Sequence, residues 1–367
     1  MTDRLCRWGF LGTAAIARKN WKAIQLSGNG RVAAVASRSI DRANTFIEEC
    51  SAESQQCEPV NAMGCYEDLI HSDEIDVVYV PLPTGLRKEW VIAAAEAGKH
   101  VLCEKPVAIH AQDAAEMMDA CRASNVQFMD GVMFDHGTRI TEICQQLRDP
   151  NTIGKLRRIQ THFSFPSDDA FEASNIRANC ELEPHGCVGD LGWYCIRFTL
   201  WLTDLQMPHH VSAQTLTAIG GKNAEHQVPG AFSAEMFFAD ELSAAFYCSF
   251  LSGNQQTAIV SGSNGYLSVN DFVLPFYDGQ VHWGRHAHDL QVANCRWNYR
   301  QRSELHSIDE YSSGESNAQE VNMVRRMSQI AIDGEVDARY SELALKTQQI
   351  VDACRRSAIG GGEQVAL

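Results

Sequence analysis

Residues 99–106 read Lys99-His100-Val101-Leu102-Cys103-Glu104-Lys105-Pro106, an apolar β-type run that ends in a Glu-Lys-Pro turn. The residue before a proline is pushed out of the helical region into extended or turn geometry, so we expect Lys105 to project from the end of a strand. Active-site residues of open α/β sheets lie there, at the carboxyl ends of the strands. A solvated lysine at a surface turn is the alternative for an isolated Lys-Pro, and the flanking segments decide between the two.

Strands and helices alternate on both sides of this stretch. Before it, a buried strand at residues 75–80 leads into Pro81-Leu82-Pro83-Thr84 and then into a helix over 87–97, which Gly98 ends. After it come a helix over 111–124 and a strand over 126–129. Strict alternation at this spacing predicts a parallel, doubly wound sheet, and therefore an α/β fold.

The first predicted strand runs into a turn and a helix of small residues, Gly12-Thr13-Ala14-Ala15-Ile16-Ala17. Aligned on the dinucleotide fingerprint, Gly12, Ala14 and Ala17 take the three small-residue positions, and Thr13 and Ile16 become further candidate contacts of the cofactor. Ala14 departs from the pattern, because its methyl group narrows the gap through which a pyrophosphate approaches the backbone. A plain strand–turn–helix unit stays an alternative for this motif by itself.

The residues after the second predicted strand bear on the choice of cofactor. An NAD enzyme usually places an acidic residue here, where a dinucleotide-binding unit contacts the adenosine ribose. This chain has Ser37 and Arg38 instead, with Arg42 about one helical turn further on. A hydroxyl and cations suit a 2′-phosphate, so the sequence favours NADP(H), with NAD(H) possible. An arginine that only covers the solvent edge of the sheet is the alternative.

The pattern changes after residue 130. Short β-rich segments separated by Gly, Asn or Asp predict a mainly antiparallel sheet; they lie at residues 157–165, 233–238, 244–250, 258–261 and 266–269. A helix over 189–202 interrupts them, and helices over 317–333 and 341–358 follow. We therefore expect a Rossmann domain over residues 1–130 and an α+β domain with an open-faced sheet over residues 131–367, with a late helix that can pack back on the first domain.

Composition excludes several classes of function. The formal charge, 31 − 46 = −15, argues against a nucleic-acid partner and leaves a small molecule as the expected one. The 13 cysteines lack Cys-x-x-Cys and zinc-type spacing and favour reduced thiols. The amino terminus lacks the apolar core of a signal peptide, and no apolar run reaches the ~18 residues of a membrane span. The sequence thus predicts a cytoplasmic protein.

The helix over 189–202 carries a candidate acid/base pair. Asp190 and Tyr194 are spaced i, i+4, which places both side chains on one helix face. The ammonium of Lys105 would lower the pKa of a nearby tyrosine, so that Tyr194 could pass a proton near neutrality. The aromatic residues around it keep open the alternative that Tyr194 only packs in the core.

Four segments, in this order and spacing, resemble the Gfo/Idh/MocA oxidoreductases: Gly12 to Ala17, Pro81 to Thr84, Ala97 to Pro106 and Gly189 to Tyr194. The closest resemblance is to the branch of glucose-fructose oxidoreductase, dimeric dihydrodiol dehydrogenase and 1,5-anhydrofructose reductase. It covers nearly the whole chain, and the Glu-Lys-Pro segment is its most specific part.

The resemblance implies a Rossmann domain joined to an α+β domain whose open sheet commonly forms a dimer interface. It also implies NAD(P)-dependent oxidation or reduction of sugars and related alcohols or carbonyls. Lys105 matches the catalytic lysine, Tyr194 the acid/base tyrosine and Asp190 the aspartate before it. Arg177 matches an arginine ahead of the catalytic helix. The contacts implied on the nicotinamide side are Pro81, Leu82, Pro83, Thr84 and Glu104.

Two segments depart from the branch. Met133-Phe134-Asp135-His136-Gly137 stands where an arginine and a proline are usual, and Pro184-His185-Gly186-Cys187 replaces several small residues. Asp135, His136 and His185 are therefore candidates for an atypical substrate pocket, or else surface substitutions. One cluster of possible metal ligands consists of His282, His286, His288 and Asp289. These residues lack the spacing of a recognised metal site, and we expect them to lie in a solvated loop or edge strand. We therefore expect no bound metal.

The primary hypothesis is an NADP(H)-dependent oxidoreductase that transfers hydride between nicotinamide and a sugar-like hydroxyl or carbonyl, with substrate bound between the domains. The alternative is a dinucleotide-binding regulator or sensor on the same fold; it needs no proton relay, so the joint presence of Lys105, Asp190 and Tyr194 disfavours it. A sheet face free of helices is expected to be broadly apolar and to pair two or four copies of the chain.

Overall fold

The computed structural model of the chain describes residues 4–221 and 226–367. The chain forms two compact units. Unit 1 contains the chain up to His136, Glu181–Glu183 and Ser313–Gln348, and unit 2 contains Gly137–Cys180, Pro184–Ser312 and Gln349–Leu367. Across the two described ranges, no helix is long and apolar enough to cross a bilayer.

Unit 1 is built on a six-stranded parallel sheet in the order β3-β2-β1-β4-β5-β6. This is the strand order of a dinucleotide-binding fold, and it confirms the predicted Rossmann architecture. The strands are β1 (Cys6–Leu11), β2 (Gly30–Ala36), β3 (Asn61–Met63), β4 (Val77–Val80), β5 (His100–Cys103) and β6 (Phe128–Asp130). The helices are α1 (Ala15–Ser27), α2 (Ile40–Glu53), α3 (Tyr66–Ile70), α4 (Arg87–Glu96), α5 (Ala111–Ala123) and, late in the chain, α10 (Gln319–Asp333).

The core of unit 1 joins the early strands to this late helix. Trp8 and Phe10 of β1 are fully buried together with Val324 and Met327 of α10. The indole of Trp8 donates a hydrogen bond to the hydroxyl of Ser328 at 3.0 Å. Because a buried indole N–H without an acceptor is costly, this bond fixes where α10 lies on the sheet.

Unit 2 is built on a nine-stranded sheet in the order β14-β13-β12-β11-β7-β10-β9-β8-β15. All neighbours are antiparallel except β7 and β10, so the predicted mainly antiparallel sheet is confirmed. The strands are β7 (Leu156–Ser164), β8 (His210–Ile219), β9 (Val228–Phe237), β10 (Ser243–Ser249), β11 (Gln255–Gly262), β12 (Tyr266–Val269), β13 (Gln280–Ala293), β14 (Arg296–Asp309) and β15 (Val365–Ala366).

The remaining helices are short except for the last. They are α6 (Thr138–Leu147), α7 (Pro150–Ile153), α8 (Asp169–Ser174), α9 (Trp193–Leu202) and α11 (Ala338–Ile359). A π-helical turn, Val188–Gly192, leads directly into α9. The sequence predicts one continuous α-helix over 189–202, so this turn is a difference from the expectation.

The two faces of the large sheet differ in chemistry. Along β7, Ile159, Thr161 and Phe163 are buried, whereas Arg158, Gln160 and His162 between them are exposed or half-buried. Arg158 forms an ion pair with Glu235 of β9 on the same face. Along β7 the open face is therefore polar, whereas the residues that share this face on β9 and β10 include Phe237 and Tyr247.

Sequence reasoning missed β8 and β14, and it expected the histidine-containing segment that forms β13 to be a loop or edge strand. β13 and β14 form one long ribbon, in which Gln280 lies opposite Asp309 and Ala293 opposite Arg296. All three histidines considered as metal ligands lie on β13: His282 bonds Ser307, His286 contacts Ser268 and Ser303, and His288 stacks on Tyr266. No metal-like cluster of three ligands is found within residues 4–221 and 226–367.

A buried ion pair ties α6 to the sheet of unit 2. The guanidinium of Arg139 donates to Asp271 Oδ1 at 2.5 Å, to the Asp271 carbonyl at 2.6 Å and to the His282 carbonyl at 3.1 Å. Both side chains are only 8% exposed. A carboxylate this deeply buried depends on its cation, because water cannot replace it.

We expect Arg139→Met to destabilise unit 2, because removing one partner of a buried ion pair costs about 3–5 kcal/mol. Differential scanning calorimetry measures this as a lower Tm. The matched control is Arg157→Met, which removes the exposed partner of Glu241; a pair of that kind contributes about 0–1 kcal/mol. Equal shifts of Tm in the two variants would contradict this assignment.

Candidate active site

The turn after β1 has the backbone geometry of a phosphate-binding turn. Gly12 lies at φ +99°, which side chains rarely adopt, and its N–H donates to the carbonyl of Ala36 at 2.8 Å. A Cβ added at Gly12 would lie 3.3 Å from the hydroxyl of Tyr66. Ala14 precedes α1 in extended geometry and Ala17 is fully buried, so the small residues of the motif lie at the turn and at the contact of α1 with the sheet.

The basic residues after β2 lie at the same edge of the sheet. Ser37 is buried, whereas Arg38 and Arg42 are exposed. Burial raises the pKa of Tyr66, and the charges of Arg38 and Arg42 act in the opposite direction, which places both cations near its ring. Tyr66 stands edge-on to Trp90 at 5.0 Å. A hydroxyl, two cations and an aromatic ring beside a glycine turn fit a phosphorylated adenosine ribose.

The loop after β4, which contains Pro81, Leu82, Pro83 and Thr84, is held by a carboxylate from far along the chain. The Thr84 N–H donates to Glu183 Oε1 at 3.0 Å, and its hydroxyl donates to Glu183 Oε2 at 2.6 Å. Thr84 and Glu183 are both buried. Sequence reasoning missed Glu183, since nothing local indicates that it reaches this loop.

Arg87, the first residue of α4, joins the loops after β4 and β5. Its Nε donates to the carbonyl of Leu82 at 2.6 Å, and its Nη1 donates to the carbonyls of Glu104, at 2.8 Å, and Pro106. Its Nη2 lies 3.9 Å from Glu183 Oε1, and the residue is 4% exposed. One guanidinium therefore fixes the backbone on both sides of Lys105.

Glu104 is the buried carboxylate beside Lys105. The hydroxyl of Tyr79 donates to Glu104 Oε1 at 2.6 Å. Burial, with the neighbouring Glu104 carboxylate as the next cause, raises the pKa of Tyr79 well above its ordinary value, so the phenol stays a donor. A Cβ at Gly131 would lie 3.1 Å from this carboxylate. The absence of a side chain at Gly131 therefore provides room for the Glu104 carboxylate.

Lys105 itself follows β5 at the strand end, as the sequence predicts. It is half-buried, and its peptide bond to Pro106 is cis. The residues predicted to bind the cofactor thus lie in two groups: one follows β1 and β2, and the other follows β4 and β5. These four strands are neighbours in one sheet. Ile16, another predicted cofactor contact, lies at the start of α1 and is 39% exposed.

In unit 2, the π-helical turn and α9 carry the candidate acid/base pair. Asp190 lies within the turn, and its Oδ2 lies 2.9 Å from Nε of Arg177. Tyr194 is half-buried in the first turn of α9, with its ring 5.7 Å from the ring of Phe163. Single π-helical turns often occur at functional sites, because the extra residue re-aims the side chains around it.

The three candidates for an atypical substrate pocket have different surroundings. Asp135 is buried in unit 1, and the ring of the neighbouring His136 stacks on that of Tyr340 at 5.4 Å. His185 is buried in unit 2, directly before the π-helical turn, and its carbonyl accepts from the N–H of Val188 at 3.1 Å. Asp135 and His185 are thus buried, whereas His136 is half-buried.

These features define unit 1 as a dinucleotide-binding domain, and comparison with known proteins identifies the family. Residues 6–132 match the oxidoreductase family model "GFO_IDH_MocA", which has an NAD-binding Rossmann fold. Residues 142–268 match the model of the GFO/IDH/MocA C-terminal domain. The chain belongs to the Gfo/Idh/MocA oxidoreductases, as its motifs predict.

Individual relatives agree with this assignment. D-xylose 1-dehydrogenase (NADP(+)) 2 of Haloferax volcanii is 35% identical over 189 residues, which span 52% of this chain and only 54% of that protein. The dTDP-3,4-didehydro-2,6-dideoxy-alpha-D-glucose 3-reductase of Actinomadura kijaniata is 29% identical over 96% of this chain and 95% of its own length. The chain is thus an NAD(P)-dependent oxidoreductase, and the relatives it resembles include a named sugar dehydrogenase and a named 3-reductase.

A solved structure shows the same fold. The 3-ketoreductase of Actinomadura kijaniata, in complex with NADP and TDP-benzene, superposes with a TM-score of 0.79 at 24% identity. The match covers 96% of this chain and 98% of that one.

We expect Arg87→Met to weaken binding of the nicotinamide dinucleotide, because the loops after β4 and β5 then have to be ordered on binding. A charge-assisted hydrogen bond is worth about 1.5–3 kcal/mol, so the affinity is expected to fall roughly 10-fold or more. Titration followed by nicotinamide fluorescence measures this. The control is Lys88→Met, the neighbouring residue, whose cation pairs with Asp113 at 2.6 Å and is 39% exposed. Equal affinities in the two variants would contradict a role for Arg87 in the site.

Proposed function

We propose that the chain is an NADP(H)-dependent oxidoreductase that transfers hydride between nicotinamide and a hydroxyl or carbonyl of a sugar-like substrate. The observation that carries this is Lys105 at the end of β5, in a turn whose flanking carbonyls a buried arginine holds. A lysine beside the nicotinamide end of a dinucleotide-binding sheet is placed to contact the substrate oxygen whose carbon gains or loses hydride.

The preference for NADP(H) over NAD(H) is supported by the residues after β2. Ser37 and Arg38 stand where an NAD enzyme usually has the acidic residue that accepts from a free ribose hydroxyl, and Arg42 follows one helical turn later. The xylose dehydrogenase relative is named for NADP(+), and the 3-ketoreductase neighbour was solved with NADP. NAD(H) is the weaker cofactor in this proposal.

The substrate class is a sugar or a related polyol, ketone or aldehyde. A pentose and a dTDP-linked deoxysugar are the substrates in the names of the two relatives. We propose that substrate specificity is set by side chains that contact the sugar. The candidates are Arg177, Asp135, His136 and His185. The small-molecule partner, location in the cytoplasm and assembly of two or four copies belong to the same proposal.

The proton relay consists of Lys105, Tyr194 and Asp190. NADP(H), when bound, would supply the hydride chemistry, and the residues of the chain would exchange the proton that the substrate oxygen gains on reduction and loses on oxidation. Tyr194 is proposed to exchange that proton. Lys105 stabilises the phenolate of Tyr194 and hydrogen-bonds the substrate oxygen, and Asp190 orients the substrate hydroxyl or the lysine. The ion pair with Arg177 fixes the rotamer of the Asp190 carboxylate.

A dinucleotide-binding regulator on the same fold is the competing proposal. It would keep the cofactor contacts of unit 1 and would need neither Lys105 nor Tyr194. Retention of both, with Asp190, favours the enzyme. Cofactor binding without turnover across a broad sugar and polyol panel would favour the regulator.

Arg38→Ala is expected to weaken NADPH binding by roughly 10- to 150-fold, because it removes a charge-assisted phosphate contact worth about 1.5–3 kcal/mol. The affinity for NADH should stay within about 2-fold, since the contact exists only with the 2′-phosphate. Parallel fluorescence titrations of the native protein and the variant measure both affinities. Equal affinities of the native protein for the two cofactors would overturn the assignment.

Tyr194→Phe is expected to lower kcat by about 10²–10⁴-fold, the usual worth of general acid–base catalysis. Cofactor affinity should be unchanged, since only the hydroxyl is lost and Tyr194 belongs to unit 2. Lys105→Ala should lower kcat at least as much, because it removes both a charge and a substrate contact. Native turnover by Tyr194→Phe across the pH range would move the proton-transfer role to Lys105 or His185.

A further inference from the structure

A cavity of about 340 Å³ lies in unit 1, between α1, the end of α2 and the start of α10. Protein cavities that bind small metabolites measure about 300–1,000 Å³, so this volume has room for a small ligand. Among the residues that the structure describes, the lining includes none of those proposed to bind the cofactor or the substrate. The cavity is therefore separate from the candidate active site.

Three cations of α1 line this cavity. Arg18 and Lys22 are one helical turn apart, and Lys19 follows Arg18 directly, so one side of the helix presents all three. The two carboxylates of the lining belong to Glu53 and Glu320. The charged lining residues thus have a net charge of 3 − 2 = +1, on a chain whose net charge is −15. A locally cationic cavity on an acidic protein attracts anions.

The cations differ in how far neighbouring carboxylates already neutralise them. Arg18 forms an ion pair with Glu49 of α2. Lys22 lies against the loop before α10, because a Cβ added at Gly314 would be 3.1 Å from its Nζ. In the part of the chain that the structure describes, no ion pair holds Lys22, and the residue is exposed. Lys22 is thus the cation that can pair with the anionic group of a ligand.

Glu320 supplies a hydrogen-bond acceptor to the lining. It lies in the first turn of α10 and is 2% exposed. Its Oε1 accepts from the N–H of Gly314 at 2.7 Å. Its Oε2 is buried and has no hydrogen-bond donor within residues 4–221 and 226–367, since Nζ of Lys19 lies 3.8 Å away, beyond hydrogen-bond length. A buried carboxylate oxygen without a donor is costly, which points to a donor supplied by a ligand.

We propose that this cavity binds a small anion that carries hydroxyl groups, the chemistry of a sugar phosphate or a sugar acid. Lys22 pairs with the anionic group, and Glu320 Oε2 accepts a hydrogen bond from a hydroxyl. An ammonium donor at that oxygen is disfavoured, because the Lys19 ammonium beside it would repel a second cation. An anion without a hydroxyl is disfavoured as well, because it would meet the Glu320 carboxylate with nothing to donate.

Such a ligand contacts two helices of unit 1 at once. Lys22 belongs to α1 and Glu320 to α10, and both helices contribute to the buried core on the parallel sheet. A ligand that binds the folded state alone stabilises it by mass action. We therefore expect the Tm of the protein to rise with the concentration of the anionic ligand.

The test is isothermal titration calorimetry of the full-length protein, with NADP⁺ at saturation so that the dinucleotide site is occupied. The titrants are glycerol 3-phosphate, gluconate, sulfate, which has no O–H, and glycerol, which has no charge. At least one of the first two should bind, and sulfate and glycerol should bind at least ~10-fold more weakly, because each lacks one charge-assisted contact. Comparison of glycerol 3-phosphate with gluconate distinguishes phosphate from carboxylate as the anionic group.

Two variants assign the binding to this cavity. Glu320→Gln removes a negative charge, so an anion held by charge alone should bind it more tightly, whereas a ligand whose hydroxyl donates to Oε2 should bind at least ~10-fold more weakly. Lys22→Met should weaken binding of the same ligand roughly 10-fold, and its exposed position leaves folding intact. The control is Lys155→Met, an exposed lysine of unit 2, which should bind like the native protein.

Sulfate that binds as tightly as the two hydroxylated anions would overturn the proposal. The same holds for native affinity in both Glu320→Gln and Lys22→Met, and for the absence of binding and of any rise in Tm at millimolar glycerol 3-phosphate and gluconate. None of these measurements involves turnover, so failure here is distinct from failure of the proposed function.

Discussion

The buried guanidinium of Arg87 is the interaction on which the candidate active site depends. Parallel strands deliver their loops to one edge of a sheet, but the sheet itself does not fix the loops' conformation. In this chain the Arg87 guanidinium donates hydrogen bonds to carbonyls of the loops after β4 and β5. The Glu183 carboxylate lies 3.9 Å from the same guanidinium and accepts a hydrogen bond from the Thr84 N–H. Since a buried cation and a buried carboxylate each need their partners, the two loops are held as one arrangement. Lys105 has its place because its neighbours on both sides are fixed.

In unit 2, a local helix irregularity and an ion pair position the candidate acid/base residues. A π-helical turn precedes α9 and contains Asp190, which pairs with Arg177. π-helical turns are rare and occur frequently at functional sites. The carboxylate is then held by an arginine and the tyrosine by packing against Phe163. Each unit thus holds its own part of the proposed relay in a defined geometry.

The sequence predicts well those features that arise from local pattern. β4 and β5 follow from apolar runs bounded by turn residues, and their parallel pairing follows from the helices between them. Gly12 follows from the need for positive φ at a tight turn. The predicted fold class and family are both confirmed, because these signals lie within short stretches of chain.

Features that depend on distant partners could not be predicted. Arg87 resembles any helix-starting arginine until its carbonyl partners are known, and Glu183 reaches Thr84 across a long stretch of intervening chain. Tyr66 follows a short strand with no motif that links it to Gly12. β8 was missed because its outer half is exposed and mostly polar.

The central claim is that this site performs hydride transfer as well as binding a dinucleotide. The most direct measurement follows nicotinamide absorbance while the native protein is mixed with NADP⁺ and a panel of sugars and polyols, and with NADPH and the corresponding carbonyl compounds. The account predicts turnover with at least one sugar-like compound, lost in Lys105→Ala while NADP(H) still binds. NADP(H) binding with no turnover in either direction across the panel would contradict it.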